Sequence, residues 1–204
     1  GGGHVQLDGH LFRAMGWRAT ASMGAVVAHH TTPLGAVLRE LRAAEQRAKS
    51  CGRDAFSIAL MKRGGGTTQL TCGFGMLAHV DAATVQTADD TPLGVLRALR
   101  DYLEQSRRAA YHASQWLPGL PASSEGLDRE RYQKMLAQNL AWQMNRQKSP
   151  TSDLTAADVT ALAARVTDLA LAEVLRREGL SGTAAQTVSA TELIGHMLGH
   201  MEFL

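Results

Sequence analysis

The chain has 204 residues, a mass of 21.9 kDa and a formal net charge of +2, which excludes a strongly polybasic protein. Hydrophobic residues make up 45%, enough for a sizeable core in one domain or two small ones. No apolar run reaches the roughly 18 residues of a membrane span, so we expect no membrane partner. The opening stretch GGGHVQLDGH lacks signal-peptide regions, and we interpret it as a truncation point or linker scar of a cytoplasmic protein.

The first predicted elements are a strand and a helix. Residues 18–28 alternate small polar and apolar side chains with period two, which predicts a strand. The helix is predicted to begin with Thr32 as N-cap and Pro33 at the first helical position. It is predicted to end at Gly52, because glycine enters the left-handed region without penalty. One apolar stripe at helical spacing is formed by Leu34, Val37, Leu38, Leu41, Ala44 and Ala48.

Two more strands follow this helix. The segments DAFSIALMK and TTQLTCGF read as strands joined by the turn RGGG. The order β-α-β-β is half of the ferredoxin-like palm pattern β-α-β-β-α-β, so the predicted class is α+β with a partial palm. Such a half leaves a backbone edge and one apolar face unpaired. We therefore expect partner strands outside this part of the chain, or a larger assembly.

The second half is predicted to be helical. Thr91 and Pro92 repeat the capping pattern of the first helix, and PGLPASSEG is the clearest loop. We predict about five helices arranged as a bundle, within 91–105, 106–117, 127–147, 154–179 and 189–204. The predicted domains are thus a nucleotide-binding palm half at 1–80 and a helical bundle at 90–204.

The segment AKSCGR ends the helix and carries two cations. Lys49 in the last helical turn, Arg53 at the start of the next strand and Ser22 on the first strand would together suit a polyphosphate. Gly24, beside Ser22, would leave room for a close approach. The same residues also suit a plain helix stop, with Lys49 facing the helix dipole.

Histidines and cysteines offer weaker candidates. His29 and His30 end the first strand, where they would either approach a nucleotide or bond to their neighbours. His196 and His200 share a helix face but lack a third ligand, so we predict no metal site. Cys51 and Cys72 have neither zinc-site nor disulfide spacing, which favours a reducing compartment.

The stretch ATASMGAVVAHHTTPLGAVLRELRAAEQRAKSCGRDAFSIALMKRGGG resembles a known family. It is similar to the second palm domain of the large subunit of type III CRISPR effector complexes, and its AHH and PL elements resemble the type III-B, or Cmr, branch. The T-x-S-x-G and AK-x-x-GR elements are shared with GGDEF diguanylate cyclases. The helical remainder resembles, more loosely, the C-terminal helical domain of the same subunit.

This resemblance implies a function in antiviral defence. Members of the family convert ATP into cyclic oligoadenylates when target RNA binds, using metal ions held by the aspartates of a GGDD hairpin. It implies ATP and Mg as cofactors, with Lys49 on the triphosphate, Arg53 supporting it, Ser22 lining the pocket and His29 near the nucleotide. The implied partners are the other Cmr subunits, including the small helical subunit, with crRNA and target RNA bound through the complex.

The sequence departs from this family in one respect, because it contains no GGDD motif. Asp89 and Asp90 precede a proline-started helix, and we interpret them as ordinary N-terminal acids of that helix. The chain is therefore expected to begin after the metal site, and no catalytic residue is assigned to it. Two alternatives stay open: a non-catalytic helical scaffold that docks the small subunits, and a fragment of a GGDEF-type cyclase.

Overall fold

The structure, a computed structural model, describes residues 4–13, 20–75, 91–106, 108–122, 128–180 and 188–203. Two short strands form an antiparallel hairpin: β1 (His4–Leu7) and β2 (His10–Arg13). A β-α-β-β unit follows: β3 (Ser22–Ala28), α1 (Leu34–Ser50), β4 (Ala55–Met61) and β5 (Thr67–Gly73). The rest is helical: α2 (Pro92–Gln105), α3 (Arg108–Trp116), a short 3₁₀ helix (Leu117–Gly119), α4 (Arg129–Gln147), α5 (Ala156–Glu178) and α6 (Ala190–Met201).

The three-stranded sheet has β4 at its centre. β3 pairs with β4 in parallel, Ser22 opposite Ala55, and β5 pairs with β4 antiparallel, Leu70 opposite Ile58. The fold is therefore α+β, with its strands in the first part and a helical C-terminal part. A split β-α-β unit of the ferredoxin-like kind has another strand between its parallel strands, whereas β3 and β4 pair directly. The described strands therefore do not confirm the ferredoxin-like palm, which remains a prediction.

Helix α1 lies very close to β3, because Gly24 carries no side chain. A Cβ atom at Gly24 would lie 2.6 Å from the backbone nitrogen of Glu45. On the helix side, the contact is completed by Ala44 and Ala48, which are fully buried. Small residues on both elements therefore set the distance between helix and strand.

The predicted apolar stripe of α1 is only partly buried. Ala44 and Ala48 are buried as expected, but Leu34, Leu38 and Leu41 are 69%, 43% and 37% exposed. The stripe is therefore not buried along its whole length, because helical spacing identifies an apolar face without showing what covers it. The buried residues of the helix, Ala44 and Ala48, lie in its C-terminal half.

A single cluster of buried residues joins the sheet to the helices. Phe56, Leu70 and Cys72, on the sheet face opposite α1, belong to the same core as buried residues of the C-terminal helices. The apolar face expected to lack a partner is therefore covered in part by helices of the same chain. The two predicted domains share this core, and the segment between them, 81–89, lies outside the described residues.

Capping explains several element boundaries. Thr91 caps α2 through its side chain, which accepts a hydrogen bond from Gly94 N at 3.1 Å, and this confirms the predicted start. Gly52 follows α1 with φ of 84°, as expected for the residue after a helix. The N-cap of α1 is Pro33 rather than Thr32, and no side chain caps it.

The hairpin β1–β2 was not predicted. Its turn is Asp8–Gly9, with φ of 49° and 80°, and Asp-Gly is a strong two-residue hairpin signal.

No helix in the described part of the chain combines the length and apolar character needed to cross a bilayer.

Candidate functional site

Three of the four predicted site residues lie at one end of the sheet. Ser22 is the first residue of β3 and pairs with Ala55, the first residue of β4. Lys49 lies in the last turn of α1, and Arg53 lies in the short link from α1 to β4. His29 follows the other end of β3, about 20 Å away along a seven-residue strand. The structure therefore groups Ser22, Lys49 and Arg53 but separates His29 from them.

The two predicted cations are exposed. Lys49 Nζ lies 2.6 Å from Glu45 Oε1, and both side chains are nearly half exposed. The hydrogen bond from Lys49, together with its charge, lowers the pKa of Glu45. Because exposed ion pairs contribute little, this contact is no obstacle to Lys49 binding another anion. Arg53 is also exposed and adopts a left-handed conformation with φ of 60°.

Gly24 does not provide the open approach that its sequence position suggested. The space above it is occupied by the backbone of α1 near Glu45. Ser22 lies on the same strand face and is half-buried. Any ligand beside Ser22 must therefore approach from the end of the strand rather than over Gly24.

His29 is engaged with its own turn. Its Nδ1 lies 2.8 Å from Thr31 Oγ1 and accepts a longer hydrogen bond from Thr31 N at 3.3 Å. Its ring stacks beside His30, with centroids 4.2 Å apart. These contacts match the alternative in which the two histidines bond to neighbours at the strand end.

Asp54 is a polar residue of this region that sequence reasoning missed. It is 7% exposed, and its Oδ1 atom has no hydrogen-bond partner among the described residues. It also has a left-handed backbone, with φ of 47°, directly after Arg53. A buried acid in this link reduces the positive potential that Lys49 and Arg53 create nearby.

The described residues hold no group of three or more His, Cys, Asp or Glu side chains that suits a metal ion. His200 Nδ1 lies 2.8 Å from the His196 carbonyl oxygen, so the His200 ring is bonded to the backbone of its own helix. Asp89 and Asp90 lie outside the described residues. The residues present therefore do not fit a magnesium site by themselves, and no metal-dependent step is assigned to them.

Comparison with known proteins adds no family. The chain matches no family model, no curated protein and no solved structure. The functional argument therefore rests on its own residues.

The most extensive polar network lies where α5 meets the sheet. Glu173 is 3% exposed, and its carboxylate accepts hydrogen bonds from Arg176 at 2.6 Å, Arg177 at 2.8 Å and the backbone N–H of Gly73 at 3.0 Å. Burial would raise the pKa of Glu173, but Arg176, the Gly73 N–H and Arg177 outweigh it and hold that pKa below its usual value. Arg176 and Arg177 also donate to the carbonyls of Cys51 and Thr71. The network therefore ties α5 to β5 and to the end of α1.

A polar cavity of about 380 Å³ opens beside this network. Four elements line it: α1 through Arg47, β5 through Thr67 to Gln69 and Thr71, α5 through Arg177, and α6 through Leu193 and His196. Sequence reasoning missed it, because residues from distant segments meet there only in the folded chain. Neither Lys49 nor Arg53 lines this cavity.

Proposed function

We propose that this chain is the C-terminal part of the large subunit of a type III-B CRISPR effector complex. In that role it supplies the end of a nucleotide-binding palm and the helical domain that follows it. The complete subunit converts ATP into cyclic oligoadenylates when target RNA binds, and it acts with crRNA and the other Cmr subunits in the cytoplasm.

The proposal is supported by the common location of Ser22, Lys49 and Arg53 at one end of the sheet. A flexible ammonium, a guanidinium fork and a short hydroxyl within one region match the donors that polyphosphates prefer. The proposal requires further strands and metal-binding carboxylates from outside the described residues. ATP and magnesium are therefore assigned to the complete subunit, and this chain contributes the phosphate side.

The direct test uses the complete complex with target RNA, ATP and magnesium. Lys49→Ala should lower oligoadenylate synthesis, measured by mass spectrometry, while assembly on crRNA is unchanged. Arg47→Gln is a matched control, because Arg47 lies two residues away on α1 but lines the separate polar cavity. Unchanged synthesis in the Lys49 variant removes Lys49 from the site, and the absence of oligoadenylates from the unaltered complex refutes the proposed function.

A second candidate is a non-catalytic scaffold that docks the small helical subunit. The observation that favours it is the exposed row of Leu34, Leu38 and Leu41 on α1, which resembles the anchors of a helix-binding face. Titration of ATP and magnesium into the purified chain separates the two candidates. Heat of binding that falls in Lys49→Ala but not in Arg47→Gln favours the nucleotide site, and no heat favours the scaffold.

A GGDEF-type cyclase fragment is a third candidate. The helical C-terminal part argues against it, since α2 to α6 share a core with the sheet and would have to be an addition to such a cyclase.

A further inference from the structure

We propose that the cavity between β5, α1, α5 and α6 is a second binding site, for a small ligand that carries a phosphate group. It is separate from the region of Lys49 and Arg53 and does not depend on the function proposed above. We call it the threonine cavity, after Thr67, Thr68 and Thr71, which line it together with Arg47, Gln69, Arg177, Val188, Leu193 and His196.

The lining has the chemistry of an anion site. It contains two guanidinium groups, an imidazole, three hydroxyls and an amide, and no carboxylate. Arginine forks and hydroxyls are the donors that suit the oxygens of a phosphate. The volume of about 380 Å³ is at the small end of ligand cavities, so it has room for more than a single inorganic ion.

The two arginines are held in place by a continuous chain of hydrogen bonds. Arg47 Nε donates to Ser57 Oγ at 3.3 Å, and Thr71 Oγ1 donates to the same Ser57 oxygen at 2.9 Å. The carbonyl of Thr71 in turn accepts a hydrogen bond from Arg177. Ser57 is fully buried, so this link is fixed inside the protein. Because these side chains are already ordered, the protein loses less conformational entropy when a ligand binds.

Charge also favours an anion here. Arg47 is paired with Glu40 at 2.7 Å, whereas Arg176 and Arg177 share the single carboxylate of Glu173. The group around Glu173 therefore carries one positive charge in excess. Arg177 is only 10% exposed, and a positive charge screened so little by water attracts an anion more strongly than a surface lysine does.

The cavity also has an apolar side, formed by Val188 and Leu193. The cavity thus combines an apolar wall with polar donors, and this combination suits an organic phosphate better than free inorganic phosphate. A phosphate monoester would place its phosphate toward Arg47 and Arg177 and its organic part toward α6.

The test is calorimetric titration of the purified chain with inorganic phosphate, pyrophosphate and acetate as probes. Phosphate and pyrophosphate should bind in the threonine cavity, and this binding should weaken as salt is raised. Acetate tests whether the site binds any small anion, because a site specific for phosphate should bind acetate more weakly. Amide shifts of Thr68 to Thr71, followed by NMR, locate the binding.

Two variants are chosen to spare the fold. Arg47→Gln should weaken phosphate binding at least about tenfold, and Thr67→Val, at an exposed position, by about threefold. Arg42→Gln is the control, because Arg42 is an exposed cation on the same helix that does not line the cavity, and it should leave binding unchanged. No heat at millimolar phosphate, equal affinity for acetate, or a loss of binding in Arg42→Gln but not in Arg47→Gln would each overturn the proposal. The failure of this site would leave the ATP test above unaffected.

Discussion

The buried carboxylate of Glu173 offers the sharpest test of what holds the sheet and the helices together. In Glu173→Ala, the guanidinium of Arg177, 10% exposed, loses its carboxylate partner and the N–H of buried Gly73 loses its acceptor. Removing one partner of a buried ion pair costs about 3–5 kcal/mol, because the remaining charge is left uncompensated. Arg176 is 27% exposed and can turn toward water, so we expect the low end, about 3 kcal/mol.

The measurement is urea unfolding of the purified chain followed by circular dichroism. Wild type and variant are compared by their midpoints, provided that the free energy of unfolding depends on urea concentration with the same slope in both. A loss of about 3 kcal/mol lowers the ratio of folded to unfolded chain by about two orders of magnitude. Glu45→Ala is the matched control, because it removes an exposed ion pair, and it should leave the midpoint unchanged. If the two variants lose the same stability, the network around Glu173 does not hold α5 against the sheet.

A double variant separates charge from packing. Combining Glu173→Met with Arg177→Met removes both charges, so it should be more stable than Glu173→Met alone. If it is less stable than that single variant, the cost does not come from an uncompensated guanidinium.

Three further predictions concern single positions. Gly24→Ala should lower the free energy of unfolding by about 2 kcal/mol, because its methyl group meets the backbone of α1. Gly35→Ala should raise it by about 0.5–1 kcal/mol, because its methyl group would make only an ordinary contact with the Arg39 side chain at 3.7 Å, and equal effects in urea unfolding would contradict the close approach at Gly24. Burial lowers the pKa of His200 below 6.5, so stability should be full above that pH and fall as pH drops below it, and a pH series on His200→Gln should show a shallower fall. Burial raises the pKa of Tyr102 to about 12, and its hydroxyl donates to a backbone carbonyl of α4 at 2.7 Å, so Tyr102→Phe should cost about 1 kcal/mol; an unchanged midpoint would show that this bond contributes nothing.

Local signals predicted most of the elements, because they act within a few residues. The Thr91–Pro92 start of α2 and the glycine after α1 are settled by capping chemistry alone. The hairpin β1–β2 was missed although its Asp8–Gly9 turn carried the signal, since the surrounding residues were interpreted as a linker. The exposed leucines of α1 were missed for a different reason, because periodicity does not identify the partner of an apolar face.

The two candidate sites also differ in whether they are formed by residues that are close in sequence. Lys49 and Arg53 are close in sequence, so their common location follows from one helix end. The threonine cavity depends on contacts such as Arg177 with Thr71, which lie 106 residues apart. No spacing rule links such residues, and only the packing of α5 against the edge of β5 brings them together.

The link between α1 and β4 has a consequence for how Arg53 is interpreted. Gly52, Arg53 and Asp54 all have positive φ, but only the first is a glycine. In this left-handed conformation a residue with a Cβ atom loses about 1–2 kcal/mol of stability, and glycine avoids this cost. Arg53→Gly should therefore make the protein harder to unfold while removing a cation from the proposed phosphate region. The backbone strain at Arg53 therefore lowers the stability of the fold, while its exposed side chain places a positive charge at this end of the sheet.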